Sequence, residues 1–236
     1  MEGFDRASDL WIWVVRLPPL IFAITVHEVA HGWVAKQLGD PTAANAGRLT
    51  LNPIKHIDPI GTVIVPIMLY YFAGFLFGWA KPVPVNFSKL NSPRRDLIAV
   101  AAAGPASNIL MALIWTLVMV LSLLYLPIWG EGQANLLIDD MAKFGIVINL
   151  FLAVFNMFPI PPLDGGRVLK GLVPSPMAKF LDTIEPFGIL IIIGIFVLDS
   201  FTQLEILLPF VLVPVAELSD VFYGIADKLL ALAGVS

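Results

Sequence analysis

The chain contains no cysteine, and charged residues are scarce. Of its 236 residues, 58% are hydrophobic and only 14% are charged, and the mean hydropathy is +0.86. A soluble domain is nearer half apolar and about a quarter charged. The absence of cysteine excludes disulfides and thiolate ligands, so a metal site would need histidine, aspartate or glutamate. The composition therefore predicts a multi-pass protein of the lipid bilayer, with little sequence left for a soluble domain.

Basic residues are also few, with 14 Lys and Arg against 18 Asp and Glu and a formal net charge of −4. This balance excludes nucleic acid as an expected partner. The loops on both sides of residues 60–80 are basic, and basic loops are typical of the cytoplasmic side of a membrane. A segment that crosses once cannot have both ends on that side, so residues 60–80 are expected to be re-entrant or a short hairpin. Their length opposes this reading, because about 20 apolar residues normally span a bilayer.

Six apolar segments follow one another along the chain. We predict an all-α polytopic membrane protein with about five spanning helices, plus the segment at 60–80 that either re-enters or spans. If that segment re-enters, the first and fourth segments run in the same direction. Their inner ends, which carry the motifs described next, then lie toward the cytoplasmic leaflet. The segments are Leu10–Leu38, Ile60–Ala80, Leu97–Leu126, Phe144–Phe158, Phe187–Leu198 and Ile206–Tyr223.

The first segment contains the motif HEVAH at residues 27–31. On a helix, His27 and His31 are one turn apart on the same face and can share one metal ion. Glu28 can then act as the catalytic base by taking the proton of a water on that metal. Ionisable residues at membrane depth are costly, which favours a functional role. The alternatives are a chance match to the motif or a pair of histidines that bond neighbouring helices.

The third ligand must come from elsewhere, because a catalytic zinc usually has three protein ligands and one open position. Asp164, in the sequence PPLDGG after the fourth segment, is the best candidate, since no basic residue compensates its charge until Arg167. Gly165 and Gly166 allow a close backbone approach or a sharp turn. The alternative is that Asp164 caps a short helix that starts at Gly165.

Two asparagines are candidates for substrate binding. Asn156 lies two turns before Asp164 and could hydrogen-bond the substrate backbone or the oxyanion; its alternative role is to hold the irregular backbone at 158–163. Asn108, in the sequence AGPASN, could act in the same way, although a buried asparagine more often joins helices. His56 is the only other histidine, and we expect it to be a polar residue at the membrane interface rather than a ligand.

Short extended segments are predicted near the active site. Val83, Val85 and Phe87 alternate in the sequence PVPVNF, and prolines in such a stretch fit only an edge strand or a bulge. The sequence GRLTLN alternates in a similar way. An exposed edge could pair with an extended substrate. An ordinary proline-rich loop is an equally good reading of the same residues.

Three motifs taken together resemble those of one family. HEVAH in an early membrane helix, AGPASN and NMFPIPPLDGGR are similar to the motifs of the site-2 protease family of intramembrane zinc metalloproteases, peptidase family M50. The resemblance covers roughly residues 21–170. The sequences GRLTLNPIKHIDPIGT and FGWAKPVPVNF resemble the small bacterial and archaeal branch that lacks PDZ and CBS domains.

The resemblance implies that His27, His31 and Asp164 bind one zinc ion per chain and that Glu28 is the catalytic base. Members of the family cut peptide bonds within or next to the transmembrane segments of substrate proteins. A transmembrane protein substrate is therefore the implied partner. The implied location is the cell (inner) membrane of a prokaryote, with the active site toward the cytoplasmic leaflet. The oligomeric state stays open.

The resemblance also implies a single integral-membrane protease domain over residues 1–236. Its catalytic core is expected at about 10–170, followed by C-terminal helices at about 185–230. Two other functions use the same ligands: a membrane protein that binds or transports metal, and a catalytically silent protease relative. Transport needs polar residues along several helices, and the third to fifth segments have few. Silent relatives usually lose the glutamate or a ligand, whereas this chain keeps all four residues.

Overall fold

The computed structural model describes residues 6–73, 78–125, 133–202 and 208–235. Most of these residues lie in helices, as the composition predicts. Three short 3-10 turns lie at Pro53–His56, Phe87–Lys89 and Glu185–Phe187, and π-helical turns lie at Pro59–Ile64 and Leu208–Leu212. The α-helices are α1 (Arg6–Gln37), α2 (Thr42–Asn45), α3 (Val65–Ala73), α4 (Pro93–Tyr125), α5 (Gln133–Asn156), α6 (Asp164–Leu172), α7 (Ser175–Ile184), α8 (Gly188–Thr202) and α9 (Val213–Leu232).

Helix α4 is the centre of the bundle, because it packs against α1, α5, α6 and α9. Its core with α5 and α9 is apolar and includes the fully buried Ile146 and Leu150 of α5. Small residues let the helices approach closely, since Ala112 of α4 and Ala142 of α5 are also fully buried. The same helix therefore lies against α1, which carries HEVAH, and against α6, which begins at Asp164.

The helices begin and end at other residues than the apolar segments suggested. Helix α1 starts at Arg6 and runs through Pro18 and Pro19 without a break. Helix α5 starts at Gln133, well before the predicted segment at Phe144. Apolarity marks only the part of a helix that needs a lipid or protein environment, and the helical hydrogen bonds continue into its polar ends. Membrane helices tolerate internal proline because neighbouring helices satisfy the freed backbone groups.

The chain is a membrane protein by the length and apolarity of its helices. Among the described residues, three helical stretches are long and apolar enough to cross a bilayer: Pro93–Tyr125, Ser175–Asp199 and Pro209–Leu232. Helices α1 and α5 are long enough as well, with 32 and 24 residues, but they fall outside that set. Both carry charged residues, including Arg16 in α1. The total of about five spanning helices stays a prediction.

The segment at 60–80 folds back on itself. The backbone N–H of Trp79 donates to the carbonyl of Gly61 at 3.0 Å, and the Thr62 hydroxyl donates to the carbonyl of Trp79 at 2.9 Å. A Cβ atom on Gly61 would overlap the Trp79 ring, so only glycine allows this contact. The two ends of the segment therefore lie side by side, which supports the re-entrant alternative; whether the segment crosses the bilayer stays a prediction. We call residues 59–79 the apolar hairpin; its residues 74–77 lie outside the described ranges.

No β-strand is found in the part of the chain that the structure describes. The predicted extended stretch at PVPVNF is irregular up to Asn86 and then enters a 3-10 turn at Phe87. GRLTLN is also irregular. Strand assignment needs a ladder of backbone partners, and the partners of PVPVNF are mainly side chains, as described below. The extended segments expected from the sequence are therefore not confirmed as strands.

Candidate metal centre

Helix α1 places His27 and His31 on one face, one turn apart. Their Nε2 atoms lie 3.1 Å from each other, and each residue is only 7% exposed. This is the arrangement that the four-residue spacing predicts. The two rings are nearly perpendicular, with centroids 4.7 Å apart. Both histidines thus present the same ring nitrogen to one point inside the protein.

Asp164 reaches the same point from the first residue of α6. Its Oδ2 atom lies 3.1 Å from Nε2 of His27 and 3.3 Å from Nε2 of His31, and the residue is 4% exposed. The capping alternative receives no support, because Leu163 is the N-cap of α6 and no side chain caps this helix. The fold therefore brings His27, His31 and Asp164 together from two helices that are distant in sequence. These are the three residues predicted as ligands.

The three residues fit a metal ion by their chemistry. Their ligand atoms all lie within 4.8 Å of one another, and Asp164 Oδ2 is buried without a hydrogen bond of acceptable geometry. A buried carboxylate oxygen without a partner costs free energy, and lone pairs that face one another repel. A cation among them would remove both penalties. Two imidazoles and one carboxylate are a typical ligand set of catalytic zinc.

The close approach of α4 to the histidines depends on Gly104. A Cβ atom at this position would overlap His31 Nε2 and ring atoms of His27. The ring atoms belong to side chains that are buried and held by other contacts, so they have no room to move aside. The glycine of AGPASN therefore has a steric role: it leaves space at the centre for the two imidazoles.

Glycines also set the position of Asp164. A Cβ atom on Gly165 would overlap the carbonyl of Met157, and one on Gly166 would overlap the backbone of Pro161. The start of α6 therefore packs directly on the irregular backbone between α5 and α6. A close approach was one of the two roles, with a sharp turn, that the pair of glycines indicated.

The outer ring nitrogens of both histidines are held by α4. Nδ1 of His31 lies 2.7 Å from the carbonyl oxygen of Val100, and Nδ1 of His27 lies 2.6 Å from Oδ1 of Asn108. Both partners accept hydrogen bonds, so each histidine donates from Nδ1 and keeps the lone pair of Nε2 for a metal. Such contacts fix the tautomer and the ring orientation of metal-binding histidines.

Glu28 lies beside the centre and is held by a backbone group. The N–H of Val83 donates to Glu28 Oε2 at 2.7 Å, and Val83 itself is buried. The glutamate is partly buried, next in sequence to the first histidine ligand. Its carboxylate is therefore fixed in place by a segment that lies far from it in the chain.

We call residues 80–86, which contain Val83, the bridging segment. Its other hydrogen bonds tie it to the loops after α1. The N–H of Lys81 donates to the carbonyl of His56 at 2.9 Å, and Arg48 donates to the carbonyl of Lys81 at 2.8 Å. The N–H of Asn86 donates to Oδ2 of the fully buried Asp40 at 2.6 Å. The bridging segment is thus anchored at both ends, and its middle residue, Val83, holds the Glu28 carboxylate.

The comparisons with known proteins agree with this geometry. The family model described as Peptidase family M50 matches residues 125–198, which include Asp164. A relative from Bacillus subtilis, named "Putative zinc metalloprotease YwhC", is 40% identical over 182 residues, which cover 75% of this chain and 78% of the relative. The chain belongs to peptidase family M50.

Two further relatives of this M50 peptidase come from other lineages. "Putative zinc metalloprotease MJ0611" from Methanocaldococcus jannaschii is 30% identical over 168 residues, covering 69% of this chain and 72% of the relative. "Putative zinc metalloprotease Rip2" from Mycobacterium tuberculosis is 26% identical over 226 residues, covering 95% of this chain and 76% of the relative. No solved structure matches the chain. The resemblance to the site-2 protease family, and the prediction of a metalloprotease, are confirmed.

The two asparagines predicted to bind substrate occupy different surroundings. Asn156 of the M50 peptidase is partly buried, and its Nδ2 donates to the carbonyl of Leu152 in its own helix at 2.9 Å. Asn108 is fully buried, and its amide contacts His27 rather than an open surface. Substrate binding by Asn156 stays a prediction. For Asn108, the contacts favour the joining of helices, the role that the sequence offered as the alternative.

His56 lies outside the metal centre, as predicted. It is buried, with Nε2 at 3.0 Å from the carbonyl of Thr50, and it does not belong to the group of His27, His31 and Asp164. Sequence reasoning missed the N–H of Val83, because a side-chain pattern carries no signal for a backbone donor. The steric role of Gly104 was also missed, although its place in AGPASN was a usable signal.

Proposed function

We propose that this M50 peptidase is a zinc-dependent intramembrane endopeptidase that cuts peptide bonds within or next to transmembrane segments of substrate proteins. One observation carries the proposal: two histidines and an aspartate converge in a buried site, with a glutamate beside them. A structural or transport site has no need of that glutamate. The names of the relatives, which include "zinc metalloprotease", support zinc as the metal.

His27, His31 and Asp164 would hold one zinc ion per chain. Zinc, when bound, polarises the scissile carbonyl and lowers the pKa of a nucleophilic water. The chain supplies the proton transfer: Glu28 accepts the proton of the attacking water at its carboxylate and passes it to the nitrogen of the leaving amine. The Val83 N–H holds Oε2 of that carboxylate in place, so the base needs little reorganisation during the reaction.

The substrate would bind as an extended chain alongside the bridging segment. A helical substrate hides its backbone in its own hydrogen bonds, so it must unwind before a carbonyl reaches the metal. The bridging segment contacts Glu28 through its own backbone, so a substrate strand that pairs with its edge would lie beside the base. We propose that this edge positions the scissile bond.

We place the enzyme in the cell membrane of a prokaryote, with its active site toward the cytoplasmic leaflet. The relatives come from bacteria and an archaeon. The bridging segment contains Lys81 and is followed by Lys89, Arg94 and Arg95, and basic loops face the cytoplasm. The chain would act as one membrane domain, with its catalytic core at about 10–170 and C-terminal helices at about 185–230.

The test compares wild type with Glu28→Gln in lipid. Both proteins would be purified, their zinc content measured, and a panel of single-span substrates offered. Glutamine keeps the size of the side chain and removes the base, and general base catalysis typically contributes about 10²–10⁴-fold. We expect equal zinc in both proteins and cleavage by wild type alone. Equal cleavage by both would remove Glu28 from the mechanism, and zinc without cleavage in either would favour a silent, metal-binding relative.

A further inference from the structure

Two fully buried asparagines connect the metal centre to the middle of the bundle. Asn108 lies on α4 and Asn149 on α5, and neither is exposed at all. Nδ2 of Asn108 donates to Oδ1 of Asn149 at 2.9 Å. Oδ1 of Asn108 accepts from Nδ1 of His27 at 2.6 Å. A continuous line of hydrogen bonds therefore runs from α5 through α4 to a histidine of α1.

Two backbone carbonyls set the direction of this line. The carbonyl of Gly145 accepts from Nδ2 of Asn149 at 2.8 Å, and that of Ala23 accepts from Nδ2 of Asn108 at 3.2 Å. A carbonyl only accepts, so each amide must turn its NH₂ group toward it. Each Oδ1 then faces the next donor in the line. With Oδ1 of Asn108 facing His27, the ring must donate from Nδ1 and present the lone pair of Nε2 to the metal.

We propose that Asn149 is a positioning residue of the metal centre, which acts through Asn108 to fix the ring nitrogen that His27 presents to zinc. Of the two bonds donated by Asn108 Nδ2, the bond to Asn149 is the shorter. Asn149 is therefore one of the two acceptors that hold the amide of Asn108 in this orientation. The proposal rests on the proposed zinc site, and it assigns a function to a residue two contacts away from that site.

A purely structural role makes a different prediction. Buried amides in membrane proteins often join helices, and the contact between Asn108 and Asn149 does join α4 to α5. A residue that only joins helices affects the stability of the protein but leaves the affinity for zinc unchanged. A positioning residue affects the affinity, and its effect disappears when Asn108 is absent.

The first experiment is a double-mutant cycle read by zinc affinity in lipid, with a fluorescent zinc chelator as competitor. Changes to groups that orient a metal ligand typically weaken binding by about 10–100-fold. We expect Asn149→Leu to weaken zinc binding by about tenfold, the low end of that range, since it acts through another residue. In an Asn108→Leu background the same change should have no further effect. Equal losses in both backgrounds, or an unchanged affinity, would overturn the proposal.

Two further variants separate positioning from folding. Asn149→Asp keeps an oxygen that accepts from Asn108, and its protonated carboxyl also donates to the carbonyl of Gly145, the acceptor that Asn149 uses. We expect its zinc affinity to stay near that of wild type. Thr116→Val is the matched control, because Thr116 is a fully buried residue of α4 whose hydroxyl bonds only within its own helix, to Ala112. It should leave zinc affinity unchanged. A loss in Thr116→Val as large as that in Asn149→Leu would show that any buried polar change disturbs the centre.

The second experiment needs neither zinc nor cleavage. The chain has three histidines, so ¹⁵N-histidine labelling gives a small set of ring nitrogen signals in the metal-free protein, with His56→Asn used for assignment. We expect His27 to show a protonated Nδ1 in wild type and in Asn149→Asp, and a mixture of tautomers in Asn149→Leu. The same signals in all three proteins would refute the relay. Failure of wild type to bind zinc would instead refute the proposed function.

Discussion

The metal centre and the apolar hairpin are built in opposite ways. At the centre, polar groups from α1, α4 and α6 are buried, and neighbouring backbones approach so closely that a single Cβ atom at Gly104 would not fit. The apolar hairpin exposes its large side chains, such as Ile67, Met68 and Tyr71. Its described helix α3 packs mainly against the π-helical turn that precedes it. Contacts with neighbouring helices thus fix the side chains at the metal centre. Among the described residues of the apolar hairpin, mainly those at its base are fixed by contacts within the protein.

The difference shows which contacts each region needs. Buried polar groups must all be satisfied, so each one restricts its neighbours. Exposed apolar groups in a membrane protein meet lipid, which accepts many arrangements equally well. The contact between Gly61 and Trp79 closes the base of the hairpin, and lipid can accommodate the rest. The centre should therefore be sensitive to single atoms, and the hairpin should tolerate substitution.

The largest effect is expected from Asp164→Asn, which removes the carboxylate from the ligand set. Zinc affinity should fall by more than about 100-fold, since a ligand contributes more than the outer groups whose loss costs about 10–100-fold. Cleavage should be lost with it. Zinc content per chain and cleavage in lipid would be measured. Asp182→Asn is the control, because Asp182 pairs with Lys170 away from the centre; an equal zinc content in both variants would contradict the ligand assignment.

Next in size is Gly104→Ala, which adds one methyl group at the centre. Overpacking of this kind typically costs about 1–3 kcal/mol, and the displaced imidazoles should bind zinc more weakly. Gly194→Ala is the matched change in α8, where an added Cβ atom meets nothing within 4 Å. It should be neutral or stabilising by up to about 1 kcal/mol, because alanine favours helix over glycine. Unfolding in mixed micelles would compare them, and equal effects would mean that Gly104 has no special steric role.

A smaller effect is expected from Val83→Pro, which removes the N–H that holds Glu28. Proline suits the extended backbone of the bridging segment, which already contains Pro82 and Pro84. We expect kcat to fall by about tenfold, a fraction of the 10²–10⁴-fold that a general base contributes, with KM and zinc content unchanged. Val83→Ala keeps the N–H and should retain activity. If Val83→Ala loses as much, the side chain rather than the N–H is responsible.

The smallest effect is expected in the apolar hairpin, from Ile67→Ala. Ile67 is 63% exposed, so its truncation should change the free energy of unfolding by no more than about 0.5 kcal/mol. The same truncation at the fully buried Ile146 should cost about 2–5 kcal/mol. Unfolding of both variants in the same mixed micelles would test the contrast. Similar losses would show that the apolar hairpin packs on the bundle as tightly as its core does.

Much of the centre could be predicted because it is encoded locally. His27 and His31 share a helix face because of their spacing alone. Gly165 and Gly166 indicated a close backbone approach or a sharp turn beside Asp164. The meeting of Asp164 with the histidines needed more, namely the rule that zinc takes three ligands and the resemblance to a family. The contact between the two ends of residues 60–80 agrees with the re-entrant alternative, which the basic residues on both sides had favoured and the length of the segment had opposed.

The remaining features depend on which faces of distant helices meet. Asn108 was singled out by its motif, but its contact with His27 depends on the rotation of α4 against α1, which no local pattern specifies. The hydrogen bond from Val83 to Glu28 is donated by a backbone N–H. Every residue except proline carries that group, so the sequence does not mark this one. Of the two readings of PVPVNF, the edge strand was not found, because alternation describes side chains, whereas a strand also needs a neighbouring backbone. Single residues were thus predictable, and their partners often were not.

The distance along the chain between His27 and Asp164 matters during synthesis of the protein and its insertion into the membrane. More than half of the sequence separates the two ligands, and α4, which holds the histidine rings, is made between them. A growing chain that has inserted α1 therefore carries an HExxH motif without its carboxylate. On the proposed ligand assignment, the set is complete only after α6 has been synthesised, so we expect an unfinished chain to have no peptidase activity.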